Sequence, residues 1–233
     1  MRPPPTTRTT PWALALLLAA CGGTEARVAA DAAPVLSTLA SAGGSGTAQL
    51  RAGDLAGARA TFEAALAADP DRLAPLNDLA VSYAASGHLD AARTLLEEVV
   101  ASGSPGEQQA ALVNLGELYA IEGYLSIAQA CLESARGIDP ARPEPLYALA
   151  LLADARGDSA GARAHLAEAL RLDGAAAARA SFAYLYPEER LHLDALLAEH
   201  AGDVAAARPL WRALSEGRFA ALAAAAEKRL AEP

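Results

Sequence analysis

Gly53, Gly87, Gly123, Gly157 and Gly202 divide this chain at separations of 34, 36, 34 and 45 residues, and other positions keep step with them. Five residues after each glycine stands an alanine: Ala58, Ala92, Ala128, Ala162 and Ala207. Phe62, Leu96, Leu132, Leu166 and Trp211 follow four further on, and Ala65, Val99, Ala135, Ala169 and Leu214 three beyond those. Ahead of the glycines, Leu79, Leu115 and Leu149 align, each followed by Ala80, Gly116 or Ala150. Leu76, Leu112, Leu146 and Leu191 align three residues earlier. Steps of three and four put these residues on single helix faces. The unit is clearest from Gln109 to Arg142: a helix, a turn at Gly123, a second helix, and a stop at Asp139-Pro140. Proline ends such a helix because it lacks the N–H and restricts the residue before it.

A hairpin of this size cannot bury its own apolar stripe, so neighbouring copies must stack. Small residues recur where the two helices face each other, and a leucine at Gly116 would overpack that contact. Asp54, Asp158 and Asp203 directly follow a turn glycine and are placed to cap the second helices. Composition agrees, with 53% hydrophobic residues and only 5% aromatic ones. Alanine and leucine supply most of the apolar content, and both favour helix over strand.

A 34-residue period with this combination of positions resembles the tetratricopeptide repeat. The resemblance covers roughly residues 47 to 217 and implies an all-α fold, a right-handed α-solenoid of about five helical hairpins. Residues 47–233 form the array, with a C-terminal cap helix over 219–230. Leu222 and Leu230 face inward on that helix, leaving Glu227, Lys228 and Arg229 to solvent. The first copy is damaged, since Gly43 to Gly46 stand where apolar residues belong, and reads as a capping half-repeat. Two residues added near Glu107 lengthen a turn. About eleven are added between Gly174 and Glu188, including Phe182, Tyr184 and Tyr186. Those rings either project as a partner contact or cover the core between repeats. Asp194 stands where the fifth copy should carry leucine.

Ahead of the array, Arg2 and Arg8 precede an apolar run from Trp12 to Ala20, too short to span a bilayer. Leu18-Ala19-Ala20-Cys21 resembles the lipobox of bacterial lipoproteins. That resemblance implies cleavage after residue 20, lipidation of Cys21, and an envelope protein facing the periplasm, expected at the outer membrane. Residues 21–46 then form a tether, with a short helix over Asp31 to Ala42 whose inner side carries Val35, Leu36 and Leu39. With Cys21 consumed, Cys131 has no partner for a disulfide and reads as a small packed thiol.

The formal charge of −9, with Lys228 as the only lysine, disfavours nucleic acid as a partner. It also rules out a phosphate-binding loop, which needs a lysine beside its glycines. His88, His165, His192 and His200 are the only histidines. His192 and His200 stand eight residues apart on one helix, too far to share a metal. The carboxylates fall on helical positions read as solvent-facing. No catalytic residue, cofactor or small-molecule substrate is expected.

The family resemblance implies a concave groove lined by the first helices. Its expected binding residues are Asn77, Val81, Val113, Asn114, Glu117, Ile121, Tyr147, Leu151 and Asp154, with Ala84 and Ala120 beside them. Asn114 falls where the family places an asparagine that hydrogen-bonds an extended peptide. None of these is basic, so a carboxylate clamp for chaperone tails is not expected. A mixed apolar and acidic groove suits a peptide or helix with apolar anchors and some positive charge. The functional expectation is a lipid-anchored scaffold binding a protein partner. The alternatives are a self-associating envelope lipoprotein and an assembly factor for pilus secretins or outer-membrane barrels.

Overall fold

The computed structural model describes residues 30–41, 43–174 and 176–231. The expected leader and the expected lipidation site Cys21 lie outside them. Eleven α-helices occupy the described residues, with one two-stranded sheet. The helices are α1 (Ser45–Arg51), α2 (Leu55–Ala68), α3 (Ala74–Ala85), α4 (Leu89–Ser102), α5 (Pro105–Ile121) and α6 (Leu125–Ile138). There follow α7 (Glu144–Ala155), α8 (Ser159–Leu172), α9 (Pro187–His200), α10 (Val204–Ser215) and α11 (Ala220–Ala231). Strands β1 (Ser37–Thr38) and β2 (Phe182–Ala183) pair antiparallel. No described helix is long and apolar enough to cross a membrane.

Consecutive helices pack as the repeat pattern requires, α1 with α2 through α9 with α10. The five turn glycines share a left-handed φ between 74° and 83°, which a side chain would strain. Ala58, Ala92, Ala128, Ala162 and Ala207 are all buried, as are Phe62, Leu96, Leu132, Leu166 and Trp211. Asp54, Asp158 and Asp203 accept hydrogen bonds from the N–H groups of Gly57, Gly161 and Ala206 at 2.8–2.9 Å. Each is a helix cap of the kind worth ~1 kcal/mol.

Gly116 sets the closest helix approach. A Cβ there would lie 2.8 Å from Leu132 Cδ2, inside any allowed contact. Gly116→Leu is expected to cost at least ~1–3 kcal/mol by forcing α5 from α6. Urea denaturation measures this, and an unchanged midpoint would mean that the two helices are not held at this distance.

Four sequence expectations are corrected. Residues 31–41 are extended rather than helical, because Pro34 supplies no N–H and biases its neighbour to extended backbone. The residues added near Glu107 lengthen a helix rather than a turn, so that α5 runs to 17 residues against 12 in α3 and α7. Glu107 itself joins Ser104 in a capping box and also accepts from the N–H of Ala74 at 2.7 Å, bridging two repeats. Arg229 points inward from α11, not to solvent. Finally, the carboxylates of Asp78, Glu117, Glu144, Asp154, Asp173 and Glu189 are buried.

Candidate peptide-binding groove

The first helices α3, α5, α7 and α9 lie side by side, and what covers them is this chain itself. Residues 32–39 thread the concave face as an extended segment and are almost wholly excluded from solvent. Strand β1 rests on α3 and α5, and its far edge pairs with β2 from the insert. The segment is therefore held between the repeats and residues 181–183.

Its backbone is gripped mainly by side chains. Asn114 takes both polar groups of one residue: Oδ1 accepts from Thr38 N–H at 2.7 Å, and Nδ2 donates to Thr38 carbonyl at 3.0 Å. Asn77 Nδ2 donates to the same carbonyl at 3.1 Å. The two asparagines also bond to each other, Asn114 Nδ2 to Asn77 Oδ1 at 2.8 Å, which fixes both amides. Asp78 accepts from the N–H groups of Ala40 and Ser41 at 2.7 and 3.0 Å. Glu117 Oε2 accepts from Val35 N–H at 2.5 Å. Backbone carbonyls complete the grip, with Ala120 accepting from Ala33 and Ser181 from Leu39, both at 2.9 Å. A buried backbone group left without a partner would cost ~1–3 kcal/mol, so this accounting is what permits an extended segment to be buried at all.

The groove carboxylates thus recognise backbone amides. The cationic side chains that the acidic character of the groove led one to expect in a ligand have no role here. Between the polar anchors, Val35, Leu36 and Leu39 enter the core alongside Val81, Val113 and Leu151. Ile121 is likewise buried. Tyr147 donates to Asp173 Oδ2 at 3.1 Å and packs edge-on against Phe182, with ring centres 5.4 Å apart. Burial and the neighbouring Asp173 charge both push the Tyr147 hydroxyl above its ordinary range. Asp154 lies outside the segment's contacts and instead joins a cluster under α11. In the insert, Phe182 is buried, Tyr186 stacks edge-on with Phe219 at 5.1 Å, and Tyr184 lines a cleft beside β2. That cleft, of about 660 Å³, also carries Arg51, Arg179 and Arg190.

Two buried carboxyls meet beneath the segment. Glu189 takes the N–H groups of Leu185 and Tyr186, both at 2.9 Å, and couples to Glu117. Burial raises Glu117 to about 7 despite its bond from Val35, and burial with the Glu117 charge drives Glu189 well above the carboxylate range. Glu117 Oε1 has no hydrogen-bond donor in this geometry, and Glu189 is the neighbouring carboxyl with which a proton would be shared. Burial likewise raises Asp78, against the hydrogen bonds from Asn77, Ala40 and Ser41.

Asp78 and Glu189 are absent from the residues that the sequence singles out. Asp78 was findable: it stands nine residues before Gly87, as Asn114 stands nine before Gly123. Glu189 lies in the repeat distorted by the insert, and no register points to it.

Comparison with known proteins agrees with this geometry. Residues 49–116 match the tetratricopeptide repeat family. The structure is similar to a chain in the crystal structure of the APC/C hetero-tetramer Cut9-Hcn1, with TM-score 0.54 and 19% identity over 72% of this chain. It is also similar to TTC0263, a thermophilic TPR protein of Thermus thermophilus, with TM-score 0.51 and 23% identity over 79% of this chain. The fold is an all-α array of helical hairpins, similar to that of tetratricopeptide repeat proteins. This chain spans 31% of the Cut9-Hcn1 chain and 95% of TTC0263. No curated protein matches by sequence. In this chain the groove is filled from within.

Proposed function

We propose that this chain is a lipid-anchored scaffold of the bacterial cell envelope, held to the outer membrane through Cys21 and facing the periplasm, which binds another protein. The anchor rests on Leu18-Ala19-Ala20-Cys21 alone. The binding role rests on the tetratricopeptide array, and one observation carries it: Asn114 holds the N–H and carbonyl of one residue in an extended segment. That arrangement reads backbone rather than side chains, as recognition of an extended polypeptide requires.

Affinity capture from native membranes tests the binding role. Stoichiometric recovery of one different protein is the expected result. Recovery of this chain alone, with a solution mass of two or more copies, would favour the self-associating alternative. That alternative draws on a specific fact, namely that the groove accepts this chain's own sequence. The anchor is tested separately. Cys21→Ala should move the protein from the membrane to the soluble fraction, and persistent membrane association would remove the lipobox argument.

A further inference from the structure

We infer that residues 32–41 are a resident ligand of the groove, exchangeable for an extended, uncharged peptide of a partner with apolar residues spaced like Val35, Leu36 and Leu39. The inference deepens the scaffold reading and rests on it. Three observations carry it.

The first is how the segment is held. Asn77, Asp78, Asn114 and Glu117 all bond to its main chain, and the one side-chain hydrogen bond along β1, Thr38 Oγ1 with Ser181 Oγ at 3.2 Å, comes from the insert. A different peptide with the same apolar spacing would make the same bonds. Exchange would leave no buried amide or carbonyl unpaired, which is the usual obstacle to replacing a buried strand.

The second is the connection to the array. Segment and α1 are joined only through residues 42–44, and Gly43 and Gly44 have φ of 70° and 141°. Neither glycine has any atom near the place where a side chain would stand. Gly43 and Gly44 stand in open space and tolerate large changes of φ.

The third is the ligand's chemistry. Residues 32–41 contain no charged side chain. The two groove carboxylates that touch the segment are already occupied by its amides, so a cationic partner gains nothing from them.

A tethered ligand competes at an effective concentration on the order of mM, so a free peptide making the same contacts is excluded from the wild-type chain below that level. Thr38→Pro lifts the exclusion, because proline has no N–H for Asn114 and the resident segment loses its central anchor. The probe is a fluorescein-labelled peptide of residues 32–41, titrated against full-length chains by anisotropy. The expected result is binding to Thr38→Pro at least ~10-fold tighter than to wild type, the ratio that corresponds to a 1.4 kcal/mol difference. Adding Asn114→Ala to Thr38→Pro should remove that gain. A folded Thr38→Pro chain that binds no better than wild type would overturn the inference. So would a Thr38→Pro chain without a cooperative melt, since a ligand's release must leave the repeats standing.

Native-state hydrogen exchange supplies a second measurement on the unaltered chain. The amides of Val35, Thr38 and Leu39 should exchange through an opening less costly than that of α5. Equal protection would make the segment part of the core and end the proposal. Capture of a partner together with an inert peptide would sink this inference alone and leave the scaffold reading intact.

Discussion

Arg229→Ala is expected to cost about 3–5 kcal/mol, the range for removing one partner of a buried ion pair. Arg229 reaches inward from α11 with its side chain 4% exposed. Its Nη2 donates to Asp154 Oδ1 at 2.6 Å and its Nη1 to Glu199 Oε2 at 2.8 Å. The guanidinium also lies over the Trp211 ring, 5.6 Å from its centre, while Trp211 Nε1 donates to Glu199 at 2.7 Å. His192 Nε2 lies 2.9 Å from the other oxygen of Asp154. One arginine thus ties α11 to α7, α9 and α10. Burial pushes Asp154 upward, but His192 and Arg229 outweigh it and hold the carboxyl below its ordinary value. Alanine would leave a buried carboxylate with histidine as its remaining side-chain partner.

The loss is a large fraction of a typical total stability of ~5–15 kcal/mol. Urea denaturation should show it as a lowered midpoint, with α11 and α10 the first to open. Arg229→Met combined with Asp154→Leu should recover only part of the loss, since it removes the buried charge pair but leaves the buried His192 without its Asp154 partner and Glu199 without its cation. The sign with pH follows from the lowered carboxyl. Its contribution is present at neutral pH and disappears as pH falls through and below the ordinary carboxylate range. A midpoint shift equivalent to less than ~1 kcal/mol would show that the cluster merely decorates the end of the array.

The array was legible because close helix contacts repeat. Ala128 and Gly116 are small for the same reason, and a rule enforced in copy after copy leaves a period in the sequence. The caps Asp54, Asp158 and Asp203 were legible because their partners lie three residues away. The groove's contents were not. Residues 31–42 read as a short helix within a tether, yet Thr38 and Asn114, 76 residues apart, are bonded. Nothing local announces that pairing. Arg229 fails similarly: its neighbours Glu227 and Lys228 face water, and its distant partners Asp154 and Glu199, 75 and 30 residues away, explain why it does not. Among the groove residues, Asn77, Asn114 and Glu117 do hold an extended backbone. Val81, Val113, Ile121, Tyr147 and Leu151 are core, because the segment that covers them came from a stretch read as a short helix ahead of the array.

Glu117→Gln should reduce, and leave to Glu189 alone, a pH dependence of stability that wild type shows on the neutral side. In the folded chain the Glu117 carboxyl is raised to about 7, chiefly by burial, whereas an unfolded glutamate titrates near its ordinary value of about 4.3. Between those values the folded state holds a proton that the unfolded state has released, so stability falls as pH rises. The contribution is complete below about pH 4, declines through neutrality and is gone above about pH 7. Between about pH 5.5 and 8.5 the wild-type chain should lose on the order of 2 kcal/mol from this group. Glutamine carries the needed hydrogen at every pH. Its oxygen can keep the bond from Val35 N–H, and its Nε2 can donate to Glu189 in place of the shared proton. The variant should match wild type near pH 5 and exceed it near pH 8.5, read as urea midpoints at both values. Glu189→Gln should not imitate it. Both oxygens of Glu189 already accept backbone N–H groups, so an amide nitrogen there would face a donor. Equal midpoints for wild type at the two pH values would mean that Glu117 and Glu189 share no proton. If the slope appears, the contact beneath residues 32–41 weakens as pH rises, and in wild type the resident segment should be easier to displace above neutrality than below it.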